Sequence, residues 1–215
     1  VISCDSTASY RGFDIGTDKP SLDARHDIAH HLIDVADPRE VYTAAHFARD
    51  AAGIIRDIHR RGRVPVMVGG TGLYYRALTR GLFPGPGADE HLRRRLNRVA
   101  DGRGVERLHR MLRRADPQSA DRIMPRDLKR IVRALEVYAT TGRTLTDHFS
   151  ETTSLIADCE VISLALRLPA ALTAERVARR VDEQFARGIV EEVQALLTRG
   201  VPADARPFGG LVYRQ

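Results

Sequence analysis

Asp5 and Ser6 directly follow the apolar run Val1-Ile2-Ser3-Cys4. A carboxylate on the loop after a buried strand can serve as a general base or hold a metal ion, although Asp-Ser at such a place also suits a turn or a helix cap. Gly69-Gly70-Thr71-Gly72 is a second candidate. Glycines between a strand and a helix let backbone N–H groups approach an anion, and Thr71 adds a hydroxyl. Lys129, Arg130 and Arg133 fall within one helical turn and form a cationic face, for an anion or for solvent. His30-His31 lacks a third ligand at useful spacing and reads as structural. Nowhere is there Gly, four residues, then Gly-Lys-Ser/Thr, the phosphate-cradling turn of α/β nucleotide enzymes, and Gly16-Thr17-Asp18-Lys19 does not satisfy it.

The elements that must position these groups alternate. Val1 to Cys4 reads as a buried strand, and residues 30–35 as another, closed by Asp37-Pro38. Tyr42 to Arg61 carries helical spacing through Phe47, Ala51, Ile54, Ile55 and Ile58, ended by Gly62. Val64 to Val68 is expected as a fully buried parallel strand leading into the glycine turn and a new helix. Strand, helix, strand, glycine turn, helix is an α/β order, in which ligands bind at the carboxyl ends of the strands. Pro84-Gly85-Pro86-Gly87 interrupts the rhythm, and from Asp89 to about Phe149 the chain reads as helices heavy in Arg. Val161 to Leu168 is expected to rejoin the sheet. Ala174 to Arg199 is expected as one amphipathic helix, with Val177, Val181, Phe185, Ile189, Val193 and Leu196 on its apolar face. The implied domains are 1–84 with 155–215, an α/β core, and 85–154, a helical insertion.

Composition bounds the function loosely. The 215 residues carry 34 Lys and Arg against 28 Asp and Glu, a balance that attracts polyanions. Nearly all the positive charge is Arg, whose planar guanidinium suits bidentate phosphate contacts, since Lys occurs only at Lys19 and Lys129. Two cysteines, Cys4 and Cys159, cannot make a structural zinc site or a disulfide framework, which points to a reducing, cytoplasmic setting. No apolar run approaches the roughly 20 residues of a membrane span, and no signal peptide opens the chain. The chain begins on a strand-like segment without an initiator Met, so it reads as part of a longer protein.

Taken in order, these segments resemble one family, the tRNA dimethylallyltransferases, also called tRNA isopentenyltransferases. Its opening pattern is similar to Asp-Ser, a few variable residues, then Tyr-(Arg/Lys)-Gly-(Met)-Asp-Ile-Gly-Thr-(Ala)-Lys-Pro. This chain has Asp5, Ser6, Tyr10, Arg11, Gly12, Asp14, Ile15, Gly16, Thr17, Lys19 and Pro20, with Asp18 at the Ala position. The stretches from His30 to Asp34, Val68 to Tyr74, and Arg130 to Tyr138, then Thr141-Gly142, follow in the family's order.

The resemblance implies a P-loop-kinase-like parallel sheet with an all-helical insertion domain. It implies transfer of a dimethylallyl group from dimethylallyl diphosphate to the exocyclic amine of the adenine beside the anticodon. Asp5 matches the family's base, and Thr71 the residue that helps position the adenine. The residues implied to meet the tRNA anticodon stem-loop are Asp5, Ser6, Thr7, Ala8, Thr71, Arg93, Lys129, Arg130, Ile131, Val132, Arg133, Tyr213, Arg214 and Gln215. Arg176 and Arg180 stand where arginines face the diphosphate, Mg²⁺ is the implied cofactor with no ligand assigned in this chain, and the expected state is a cytoplasmic monomer. Val212 departs from an expected Gly, and Thr7-Ala8-Ser9 from a Met-Gln-Val-like stretch. The phosphate-binding loop is expected roughly 20 to 30 residues before Val1, in a β-α-β arrangement. The piece is therefore expected to be inactive alone. Three rival readings are an adenylate isopentenyltransferase acting on free nucleotide, a non-catalytic RNA-binding module and a small-molecule P-loop kinase. The Arg-rich insertion argues against the first.

Overall fold

The computed structural model describes residues 1–214. It divides into two compact units, Gly81–Thr153 and the remainder, residues 1–80 with the stretch from 154 onward.

The larger unit opens with β1 (Ile2–Ser3), which pairs in parallel with β2 (Met67–Val68), Ile2 opposite Met67 and Ser3 opposite Val68. On the other edge of β1, His31 exchanges backbone hydrogen bonds of 2.9 Å with Val1 and Ser3, making a single parallel bridge rather than a strand. The strand expected over 30–35 stops there because Leu32 and Asp34 take positive φ, 64° and 59°, which ends an extended run. Between the strands lies α1 (Ala44–Arg60). Thr43 starts it with a capping box in which its hydroxyl accepts from His46 N and His46 Nδ1 accepts from Thr43 N. The helix buries Phe47, Ala48, Ala51, Ala52, Ile55 and Ile58 against Tyr74, Ala77 and Leu78 of α2 (Gly72–Arg80). The Phe47 and Tyr74 rings stack at 4.4 Å. β1, α1, β2, α2 is thus an α/β unit with a small parallel sheet.

The expected fully buried strand at 64–68 is corrected. Only its last two residues pair, and Val64 is 84% exposed, with Val66 and Val68 also open. A parallel strand is buried only when layers cover both faces, and among the described residues β1 is its one partner.

The smaller unit is helical: α3 (Glu90–Arg103), α4 (Val105–Ala115), α5 (Pro117–Arg122), α6 (Leu128–Thr141) and α7 (Leu145–Ser150). Side chains cap four of them, Asp89 on Leu92 N, Asp116 on Ser119 N, Asp127 on Arg130 N and Thr144 on Asp147 N. Leu96, Leu108, Leu112, Ile123, Ile131 and Leu135 meet in its core. The chain enters and leaves this unit at one point. Gly81, at φ +79°, lies so close to Thr153 that an added Cβ would stand 2.1 Å from the Thr153 carbonyl.

Back in the larger unit, residues 161–168 form no strand among the described residues, and Leu166 is 100% exposed. That corrects the expected return to the sheet, since no strand lies alongside to take its backbone hydrogen bonds. The single amphipathic helix expected over 174–199 is instead α8 (Ala170–Ala186) and α9 (Ile189–Thr198), separated by Gly188 at φ +88°. The turn breaks the common apolar face. Ile189 and Leu196 are buried, whereas Val177, Val181 and Phe185 are exposed. Leu196 joins Tyr10, Phe13, Ala36, Val201 and Phe208 in a second small core. No helix among the described residues is long and apolar enough to cross a membrane.

Candidate functional site

The two strands end level with each other, and the loops that follow carry the candidate chemistry. Gly69, at φ +153°, lets them meet, because an added Cβ would lie 2.4 Å from Cys4 O. Thr71 N then donates to Cys4 O at 3.1 Å, and Ser6 N donates to Thr71 Oγ1 at 3.0 Å. Thr71 and the Asp5-Ser6 pair are thereby brought together. Asp5 Oδ1 accepts from Thr7 N at 2.7 Å and from Ala8 N at 2.9 Å, so the carboxylate folds its own loop. Asp5 Oδ2 makes no hydrogen bond among the described residues. Since no buried side-chain oxygen there goes without a partner, Oδ2 is not fully buried. Cys4, next in the chain, is no nucleophile: burial and then the Asp5 charge push its thiol up to about 11. Ala8 is buried, and its backbone bonds inward, N to Asp5 Oδ1 and O to Asp34 N.

The loop continues into a clamp. Lys19 Nζ, on a side chain 5% exposed, donates to Tyr10 O at 2.6 Å, Asp14 Oδ1 at 2.8 Å and Asp34 Oδ1 at 2.6 Å. Glu192 Oε2 accepts from Asp14 N at 2.9 Å and Ile15 N at 2.8 Å. Tyr213 OH donates to Glu192 Oε1 at 2.5 Å and accepts from Gly16 N at 2.9 Å. Burial, with that hydrogen bond to a carboxylate, pushes the Tyr213 hydroxyl far up. The Tyr213 hydroxyl, expected to face tRNA, is thus engaged by the loop. Arg214 is exposed, and Gln215 lies outside the described residues.

Arg176 and Arg180, one turn apart on α8, line a cavity of about 520 Å³ with Asp18, Arg179, Glu183 and Arg187. Arg180 and Arg187 both pair with the Asp18 carboxylate. Neither Arg176 nor Arg180 has a hydrogen bond or ion pair to Asp5 among the described residues.

In the helical unit, Arg93 and Arg133 converge on one buried carboxylate. Glu136, 0% exposed, accepts from Arg93 Nε at 2.8 Å and Nη2 at 3.0 Å, from Arg133 Nη1 at 2.6 Å, and from Asp89 N at 2.8 Å. Burial pushes this carboxyl up, but the hydrogen bonds from Arg93 and Arg133 outweigh it and hold it below the usual range. Ile131 and Val132 are core residues, so their side chains are not surface contacts. Lys129 and Arg130 stand exposed in the first turn of α6, with Arg130 3.4 Å from Asp127. No three His, Cys, Asp or Glu side chains gather as metal ligands among the described residues. The residues present therefore form no cage for Mg²⁺.

Sequence reasoning missed Lys19, Glu136, Gln184 and Glu192 as organisers. A signal existed for two of them. Glu136 interrupts an apolar run three residues after Arg133, and Glu192 sits in a helix that is otherwise mostly apolar.

Comparison with known proteins fits this geometry. The family model for IPP transferase matches residues 8–215. Over its whole length the chain is 48% identical to the tRNA dimethylallyltransferase of Thermomicrobium roseum, of which it spans 65%. It is 44% identical to that of Geobacter metallireducens, of which it spans 70%. Among solved structures, the tRNA isopentenylpyrophosphate transferase of Bacillus halodurans aligns with a TM-score of 0.64 at 34% identity, covering 99% of this chain and 66% of that one. A eukaryotic dimethylallyltransferase, captured acting on tRNA, aligns with a TM-score of 0.63 at 28% identity, covering 92% and 49%. With the family model matching all but its first seven residues, this chain belongs to the IPP transferase family.

Proposed function

We propose that the protein transfers a dimethylallyl group from dimethylallyl diphosphate to the exocyclic amine of the adenine adjacent to the anticodon in tRNA. The observation that carries this reading is Asp5, whose Oδ1 is held by two backbone N–H groups, whose Oδ2 accepts no hydrogen bond among the described residues, and whose neighbour Ser6 is tied to Thr71. An adenine amine is a weak nucleophile. As its nitrogen bonds to the first carbon of the dimethylallyl group, the carbon–oxygen bond to diphosphate breaks and the amine proton passes to Asp5 Oδ2. Thr71 positions the base, and Arg176 and Arg180 meet the charge gained by the departing diphosphate. Mg²⁺ is proposed as the counter-ion of that diphosphate, with no ligand assigned in this chain. The sheet is that of a P-loop-kinase-like fold, and the unit 81–153 is its tRNA-binding insertion. Lys129 and Arg130 are its most available cations for the anticodon stem-loop. The protein works as a monomer in the cytoplasm.

Asp5→Asn, assayed in the full gene product that carries this chain, is expected to lower the single-turnover rate by about 10²-fold or more. Affinity for an anticodon stem-loop should stay within about twofold. Unchanged turnover would remove Asp5 as the base. Transfer to free AMP in preference to the stem-loop would redirect the function to a nucleotide acceptor.

A further inference from the structure

The cavity on α8 is lined by four arginines, and three of them are already paired. Arg180 and Arg187 grip opposite oxygens of Asp18, while Arg179 lies 3.6 Å from Glu183. Arg176 has no ion pair among the described residues. Asp18 is presented to the pair by a built arrangement. Its φ is +49°, and Gln184, 3% exposed, donates to Ile15 O at 3.3 Å, Gly16 O at 3.4 Å and Asp18 Oδ2 at 3.4 Å. Arg187 also donates to Ile15 O at 3.1 Å. The loop is therefore pinned to α8 by contacts that do not need the Asp18 charge. A carboxylate whose two oxygens face two guanidinium groups presents the same kind of acceptor pair that two oxygens of a phosphate would. Position 18 holds Ala in the pattern this chain resembles.

We propose that Arg187 joins Arg176 and Arg180 as a diphosphate-binding residue, and that Asp18 occupies the Arg180–Arg187 pair until a diphosphate displaces it. This rests on the reading of Arg176 and Arg180 as diphosphate-facing. Asp18 then sets the affinity of the site. It keeps two clustered arginines neutralised when no substrate is bound, and it competes with both the incoming donor and the outgoing diphosphate, which favours product release.

Asn suits the left-handed backbone at position 18 and keeps the side-chain shape, so Asp18→Asn removes the charge with little strain. The probe is inorganic diphosphate, titrated calorimetrically at low salt into the full gene product that carries this chain. Asp18→Asn is expected to tighten binding roughly three- to tenfold, the scale of losing a partly exposed competing carboxylate. Arg187→Ala in the Asp18→Asn background should abolish that gain. Unchanged or weaker binding in Asp18→Asn overturns the proposal, because Asp18 would then be only a latch for the loop. If Arg176→Ala and Arg180→Ala leave diphosphate affinity untouched, the diphosphate reading of α8 itself fails, whatever Asp18→Asn shows. Rival sources of a phosphate charge are separated by parallel titration with orthophosphate, which should gain less than diphosphate, and an equal gain overturns the assignment to diphosphate.

Discussion

At Gly16 there is no room for one more carbon. A Cβ there would stand 2.5 Å from the Tyr213 ring, and the same glycine donates its N–H to the Tyr213 hydroxyl. Its backbone is otherwise ordinary, so the constraint is close approach rather than conformation. Gly16→Ala should destabilise the fold by about 1–3 kcal/mol, the usual cost of overpacking, as measured by urea unfolding. In a Tyr213→Ala background the added methyl should cost much less, and equal costs in both backgrounds would locate the strain elsewhere. The Asp5-Ser6 pair, Thr71 and the glycine turn could be read directly from the sequence because they sit beside strand ends recognisable from apolar runs. Lys19 could not, since no regular spacing links it to Tyr10, Asp14 and Asp34, and Glu192 showed only as a charge in a mostly apolar helix, with partners as far away as Asp14.

At the level of elements, helices were more legible than strands, of which the opening one was read correctly. The helix from Ala44 to Arg60 carries its own stripe and capping box, both written within 20 residues of sequence. Apolar content alone suggested strands at 64–68 and 161–168, but a strand exists only beside a partner, which local pattern does not supply. Gly188 was likewise invisible to a periodicity that runs through it. Among the helical elements, α3 and α6 are joined by Arg93, Arg133 and Glu136. Because the Glu136 carboxyl titrates below its unfolded value, its stabilisation is complete above the ordinary carboxylate range and is lost as pH falls through the lower folded value. Asp116 behaves alike: burial pushes it up, but hydrogen bonds from Thr146 and Ser119 outweigh that and lower it. Glu136→Gln should cost about 2–3 kcal/mol near neutral pH, discounted from a fully buried pair because both arginines reach solvent. Stability measured against pH should show a shallower acid limb in Glu136→Gln than in the wild type, and parallel curves would count against the coupling.

For the molecule as a whole, charge is not evenly spread. Residues 81–153 hold fifteen Arg and Lys against ten Asp and Glu, while all the other residues hold nineteen against eighteen. The excess that draws a polyanion thus resides almost wholly in the helical unit. With Arg93 and Arg133 partly neutralised by Glu136, the exposed Lys129 and Arg130 should dominate its phosphate contacts. Replacing both by Ala should weaken stem-loop binding and flatten the plot of log K against log salt by about 1.5, near 0.7 to 0.9 per phosphate contact. An unchanged slope would place the contacts on other residues. The clamp on the Asp5 loop has an effect of a different sort. Gly16 and Tyr213 are 197 residues apart in sequence, so their contact cannot form until all the residues between them have been synthesised. The helical unit, whose contacts are local, has no such wait. On the ribosome, the loop that aims the candidate base would set later than the helical unit, and a chain terminated before Tyr213 would carry Asp5 with its loop unfastened.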